Sequence, residues 1–238
     1  MAKTRIKLEN KTGIPELDAI IQSTSNNLQI DLSGANFGNF IPFTTGSMQL
    51  DIALKIGGFP LGRIIEVFGP PGSMKTSICL SAIGLKQQER VAAGILDQRD
   101  LIIDLEHSIT EDFLLGYGFD MAQTLWLRPS SAEEALEVII QFIKSGKIDN
   151  IILDSVDAMQ NEKQQRRAVG ENDVGGISKE MSFAMRIISK LAATHKTTCF
   201  FINQIRMNPG KMFGNPETTP GGNALPFYAS LRLRCYPR

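Results

Sequence analysis

The stretch Ile64-Ile65-Glu66-Val67-Phe68-Gly69-Pro70-Pro71-Gly72-Ser73-Met74-Lys75-Thr76-Ser77 decides how the rest of the chain is read. A mostly apolar run stops at a Gly/Pro-rich turn, and a helix-like run from Thr76 to Arg90 follows. A strand that halts at a tight turn and restarts as a helix aims several backbone N–H groups and the positive helix end at one point. Polyphosphate is the natural occupant of that point. Lys75 offers a compact positive charge to the β- and γ-phosphates, and the Thr76 hydroxyl offers a ligand to a bridging magnesium ion. The phosphate-loop pattern G-x-x-x-x-G-K-[ST] asks for glycine before the lysine, where this chain has Met74. Methionine keeps the main-chain donor but loses glycine's conformational freedom, while Gly69 and Gly72 still permit the turn. The plain alternative is a Gly/Pro turn ahead of a helix carrying a solvent lysine.

The 238 residues are somewhat long for one typical domain and short for two, so one main domain with an appendage is expected. Hydrophobic residues at 42% and charged residues at 21% suit a folded globular chain rather than a disordered one. No segment approaches the roughly 18 to 20 uninterrupted apolar residues of a membrane span, and the N-terminus lacks a signal-peptide core. A cytoplasmic location without a membrane partner is the expectation. The three cysteines, Cys79, Cys199 and Cys235, are scattered and odd in number, and there are only two histidines, which disfavours zinc and disulfide frameworks. Cys79 and Cys199 lie in apolar runs and read as buried thiols. Lysine plus arginine equals aspartate plus glutamate at 25 each, so any nucleic-acid contact must be local rather than driven by a global field.

Ile14 to Asn27 reads as a short amphipathic helix, Leu28 to Leu32 alternates like a strand, and Ser33 to Asn39 has the Gly/Asn content of a linker. Residues 1–42 are therefore expected to dock elsewhere, and 43–238 to form the core. Past Pro42, strands and helices alternate as in an α/β domain with a largely parallel sheet. Strands are expected at Ile64 to Phe68, Leu101 to Leu105, Thr124 to Leu127, Asn150 to Leu153, Cys199 to Asn203 and Leu231 to Arg234. Helices are expected at Thr76 to Arg90, Ala132 to Lys144 and Ser178 to Thr194, the second opening on a Ser131/Glu134 capping box. Ala158 to Gly176 and Ile205 to Asn223 show no clear period, and long irregular loops in a compact domain are usually functional or mobile.

Ligands of an open α/β sheet bind at the carboxyl ends of its strands, so polar residues there belong with the phosphate loop. Asp154 ends Ile151-Ile152-Leu153 and reads either as a magnesium-coordinating acid or as a cap on the next turn. Glu106 stands where it can polarise an attacking water, or else is a surface carboxylate beside Asp104. The Gln204 amide can hydrogen-bond a γ-phosphate or a water and report it to the loop that follows. That loop carries Arg206 and Lys211 among Met207, Met212, Phe213 and many Gly and Pro residues. Such a loop can neutralise a backbone and wedge apolar side chains between bases, or serve as a substrate lid. The other loop carries Lys163, Arg166 and Arg167, a charge run that is most often merely solvated.

These residues resemble the RecA-type DNA strand-exchange recombinases and their phage-encoded relatives. Phe200-Ile-Asn-Gln-Ile-Arg-Met and Met212-Phe-Gly-Asn-Pro-Glu-Thr-Thr-Pro-Gly-Gly-Asn-Ala-Leu-Pro-Phe-Tyr-Ala-Ser230 resemble the family's second DNA-binding loop almost residue for residue. Thr45 to Leu54, Gly57 to Arg63, Ile103 to His107 and Leu153 to Ser155 align as well, and the likeness runs from about Phe43 to Arg234. It implies a RecA-like P-loop core with a mostly parallel twisted sheet, and ATP with Mg2+ as cofactors. The nucleotide would lie on Gly69, Pro70, Pro71, Gly72, Ser73, Met74, Lys75, Thr76 and Ser77, with Phe113 near the adenine and Thr76 and Asp154 at the metal. Lys75, Glu106 and Gln204 would carry catalysis, Glu106 orienting the water and Gln204 sensing the γ-phosphate. DNA would meet a first loop within about 158–176 (Gly175, with Arg186 beyond it) and a second at about 204–223 (Arg206, Met207, Lys211, Met212, Phe213, Gly221 and Gly222).

The resemblance further implies a helical filament on single-stranded DNA that pairs with double-stranded DNA. The N-terminal segment would pack on a neighbouring subunit, and a recombination mediator or single-strand-binding protein is a further candidate partner. Three departures stand out. Met74 resembles phage recombinases, Pro226 replaces a lysine that bacterial RecA carries at the subunit interface, and Arg238 comes before the family's last core strands. They lead to the expectation of a C-terminally incomplete core with impaired hydrolysis. Two other readings stay open: a RecA-fold ATPase of another type, such as a helicase, and a hydrolysis-deficient modulator of a full-length recombinase filament.

Overall fold

Strands whose successive residues are all apolar bury both faces, and this sequence places several of them between amphipathic helices. In the computed structural model, which describes residues 40–159, 176–207 and 217–237, the elements run in the following order. The chain starts with β1 (Pro42–Phe43), α1 (Met48–Ala53), β2 (Phe59–Pro60), β3 (Ile64–Gly69) and α2 (Lys75–Ala92). It continues through β4 (Arg99–Asp104), α3 (Glu111–Gly116), β5 (Thr124–Leu127), α4 (Ala132–Lys144) and β6 (Ile148–Asp154). After α5 (Gly176–His195) come β7 (Thr198–Gln204), β8 (Arg206–Met207), β9 (Glu217–Thr218), α6 (Ala224–Tyr228) and β10 (Leu231–Arg234). The chain divides into two units, 1–40 and 41–238, and the second holds the elements named above. The expected N-terminal helix, strand and linker lie outside the described residues.

The main sheet has six strands in the order β10-β3-β7-β6-β4-β5, and every neighbouring pair is parallel. Alternation along each strand divides the core in two. Ile64, Leu101, Ile103, Ile151, Leu153, Cys199 and Phe201 join α4 and α5 on one face. Ile65, Val67, Ile102, Ile152, Phe200 and Ile202 join α2 on the other. Phe200 is fully buried and meets Phe59 edge-on at 5.0 Å; burying one such ring stabilises by about 1.5–3 kcal/mol. Cys79 and Cys199 are buried free thiols, as expected, and burial pushes both thiols up.

All six expected sheet strands and all three expected helices are present. The Thr124–Leu127 and Leu231–Arg234 strands and the Ala132–Lys144 helix have the expected limits, and the others differ by a few residues. One correction concerns strand 101–105: β4 ends at Asp104, and Leu105 lies just beyond it, its N–H making the last ladder bond, to Asp154 O at 2.7 Å, an oxygen that also accepts from Glu106 N at 3.2 Å as the chain turns away. The capping box also closes differently. Ser131 Oγ accepts from Glu134 N at 3.0 Å, but the Glu134 carboxylate reaches back to Ser130 N at 2.7 Å, one residue earlier than the usual partner. Neither expected irregular stretch is wholly irregular: residues 156–159 are helical, Gly176 already belongs to α5, and β8 pairs antiparallel with β9.

At the amino end of the strands sits a buried polar network that periodicity does not reveal. Arg90 of α2 pairs with Asp100 at 2.9 Å and with Asp149 at 3.0 Å, and Lys86 pairs with Asp149 at 2.7 Å. Gln87 and Asn150 complete the shell around Asp100, at 2.8 Å and 2.7 Å. This end of the sheet is a locked base; the opposite end gathers the candidate site residues.

Candidate functional site

Four parallel strands deliver their last residues to one edge. Register puts Gly69 opposite Gln204, and Asp104 opposite Asp154. The turn after β3 is shaped by backbone sterics: a Cβ at Gly69 would fall 2.4 Å from Cys235 O, and Gly72 has φ +71°. Met74 takes φ +62°, the left-handed conformation that glycine adopts freely, and its side chain points to solvent. Met74 is also the N-cap of α2, with no side-chain hydrogen bond to the first turn. Ser47, Thr110 and Ser131 do cap their helices. The leading N–H groups of α2 are thus left for an anion.

Lys75 is nearly buried, and its Nζ donates to Pro70 O at 2.9 Å, an acceptor it shares with Ser73 Oγ at 2.8 Å. The Thr76 hydroxyl donates to Asp154 Oδ2 at 2.7 Å, tying α2 to the end of β6. Burial pushes the Asp154 carboxyl up to about 6, the charges of Glu106 and Asp104 add to this, and the Thr76 hydroxyl and Lys75 oppose it. A buried carboxylate beside a hydroxyl is a pair of hard oxygen donors, which fits a divalent cation that also holds phosphate oxygens and water. Such a cation would relieve the crowding of acids that raises Asp154.

Glu106 stands on the turn that follows β4, with its N–H on Asp154 O at 3.2 Å. Its carboxylate accepts from the Ser155 hydroxyl, and from Gln204 Nε2 at 3.4 Å. The structure thereby brings Lys75, Thr76, Asp154, Glu106 and Gln204 to one edge. Ser155 was missed in the sequence because a serine after a strand reads as a cap. Asp104 and Arg128 were missed for another reason: their partners are far apart in the chain. Fully buried Asp104 accepts from Ser108 N at 3.1 Å and Ile109 N at 3.3 Å, while Arg128 grips it at 3.2 Å and donates to Ile109 O at 3.0 Å. Both ends of the turn that presents Glu106 are therefore held.

A cleft of 560 Å³ flanks the phosphate loop, lined by Met74, Ser77, Ile78 and Ser81 of α2, by residues of the 45–50 segment and by Tyr117. Phe113, partly exposed on α3, packs edge-on against Tyr117 at 5.2 Å.

Beyond Gln204 the β8/β9 ribbon begins at once. Arg206 and Met207 are exposed on it, and Gly221 and Gly222 follow with φ +90° and +74°. A Cβ at Gly221 would come within 2.9 Å of Val156, and one at Gly222 within 2.8 Å of Ser178 Oγ. Gly175, Lys211, Met212 and Phe213 lie outside the described residues. Arg186 sits on the exposed side of α5 with its guanidinium 5.6 Å from the Phe183 ring. The ribbon is tied to the core in ways the sequence did not signal. Arg206 pairs with Asp157 and Glu217 with Arg234. Asn203 Nδ2 bridges buried Glu66 at 3.1 Å and Pro220 O at 3.0 Å, and Arg232 completes the Glu66 pair at 2.5 Å.

A parallel sheet with an uncapped helix after its phosphate-type turn, and an acid at the end of a nearby strand, defines a P-loop nucleotide-binding domain. Comparison with known proteins gives the family. The model for the RecA N-terminal domain matches residues 18–236, and the chain belongs to that family. It is 43% identical over 189 residues to Protein RecA of Ruminococcus albus, covering 79% of this chain and 46% of that one. The corresponding protein of Bacteroides thetaiotaomicron is 44% identical over 190 residues, with 79% and 55% covered, and that of Borreliella afzelii 46% over 191, with 80% and 50%. The chain thus spans about half the length of the curated relatives it matches.

Proposed function

We propose that this chain is an ATP-dependent recombinase unit that assembles on single-stranded DNA and promotes homologous pairing and strand exchange in recombination and repair. The observation that carries the reading is the run of contacts from Thr76 through Asp154 to Glu106 and on to Gln204, with the ribbon starting two residues later. When bound, magnesium ATP supplies the phosphoanhydride whose cleavage resets the cycle. Lys75 exchanges Pro70 O for a phosphate oxygen, and Thr76 and Asp154 hold the cation. Glu106, kept in place by Ser155 and the Asp104–Arg128 clamp, orients the attacking water. Gln204 leaves Glu106 for the γ-phosphate, and this shift is passed directly to Arg206 and Met207. Met74, held in a conformation that disfavours a side chain, weakens nucleotide binding and slows hydrolysis relative to a glycine loop. Subunits assemble into a helical filament through residues 1–42, and a mediator or single-strand-binding protein serves its loading.

The test is ATP hydrolysis with and without single-stranded DNA, together with nucleotide-dependent binding of a labelled oligonucleotide. Hydrolysis should rise on adding DNA. Lys75→Ala should remove both the turnover and the nucleotide dependence of DNA binding. Turnover indifferent to DNA, or equal oligonucleotide binding with and without magnesium nucleotide, would exclude the recombinase reading.

A further inference from the structure

We propose that Asp157 sets how strongly the β8/β9 ribbon takes up a polynucleotide, by occupying the guanidinium edge of Arg206 that a backbone phosphate needs. This rests on reading the ribbon as the DNA-binding base. Arg206 Nε donates to Asp157 Oδ1 at 2.7 Å and a terminal nitrogen donates to Oδ2 at 2.8 Å, two parallel bonds from one fork. A phosphodiester presents two oxygens to arginine in the same geometry, so carboxylate and phosphate compete for one edge.

The burial of the two partners is unequal. Arg206 keeps about half of its side chain exposed (51%), within reach of a ligand, whereas that of Asp157 is 6% exposed. When the arginine leaves, the buried carboxylate recovers little water and loses a strong partner. The exchange therefore runs uphill on the protein side, and the pair acts as a brake. Its release does not free the ribbon, because β9 stays anchored through Glu217 to Arg234 at 2.6 Å. Asp157 is also well placed to be coupled to the nucleotide edge. It lies two residues after Ser155, whose hydroxyl holds Glu106, and next to Val156, which lies under Gly221.

The experiment measures fluorescence anisotropy of a labelled oligothymidylate at fixed salt, with a non-hydrolysable ATP analogue and magnesium. The full 238-residue chain is compared with Asp157→Asn, Arg206→Gln and the double variant. Asp157→Asn should tighten binding on the order of tenfold, the worth of one hydrogen bond to a charged group. Arg206→Gln should weaken it, and in that background the gain from Asp157→Asn should vanish. Unchanged affinity in Asp157→Asn overturns the proposal. So does a gain that persists without Arg206, which would reflect overall charge rather than competition. Should Asp157→Asn fail to fold by circular dichroism, Asp157→Ser takes its place with the same two outcomes. If the parent chain and every variant fail to bind the oligonucleotide, the reading of the ribbon falls, and this proposal with it.

Discussion

Asp154 shows at the scale of one residue why a candidate binding site sits uneasily in a stable fold. Its carboxyl titrates near 6 instead of 3.8, which makes the charged form costly by about 3 kcal/mol at neutral pH. A folded-state pKa above the unfolded one means that the folded chain holds the proton more tightly. Stability therefore falls as pH rises from about 4 to about 6, and the deficit is complete above that window. In chelator and without nucleotide, Asp154→Asn should stabilise the chain by about 1–3 kcal/mol at pH 7.5. The advantage should shrink towards pH 4.5, and urea denaturation at the two pH values measures both. The same variant should lose stabilisation by magnesium nucleotide. Met74 belongs at this scale too: the motif exposed it as an exception in the sequence, but only its φ reveals that it adopts the glycine conformation.

At the scale of elements, helices and strands were read correctly where apolar period and capping agreed, as in α4 and β5. They were missed where an element is too short to show a period. The α1, α3 and α6 helices have five or six residues each, and β8 and β9 have two each, existing through their pairing with one another. Packing between α2 and α3 rests on an absent side chain. A Cβ at Gly84 would fall 2.1 Å from Tyr117 O, whereas one at Gly116 would meet nothing within 4 Å. Gly84→Ala should therefore destabilise by about 1–3 kcal/mol, even though alanine is the better helix former. Gly116→Ala should be neutral or slightly stabilising, and thermal melts of the pair separate overpacking from propensity. A general loss of equal size in both would remove the steric explanation.

For the whole molecule, the sheet separates a locked amino end from a carboxyl end that holds the candidate site. Arg90 is the keystone of the first, bonded to Asp100 and Asp149 from different strands. Burial pushes the Asp100 carboxyl up, and Arg90 and Asn150 pull against that. Arg90→Met should cost about 3–5 kcal/mol, because it leaves a buried carboxylate without its cation. Adding Asp100→Leu should recover much of that loss, and guanidinium unfolding of the single and double variants is the measurement. An Arg90→Met loss within about 0.5 kcal/mol, the range typical of surface substitutions, would mean that the network is not holding this end.

The phosphate turn, the parallel α/β order and the acids at the strand ends could all be read from local order along the chain. Apolar runs, glycines and caps act between residues close in sequence, so their pattern survives in a string of letters. Which carboxylate faces which cation could not be read that way. Asp104 with Arg128, Asp157 with Arg206 and Glu66 with Arg232 are partners 24, 49 and 166 residues apart. Only the register of parallel strands brings such groups together, because strand pairing converts distance along the chain into neighbourhood in space.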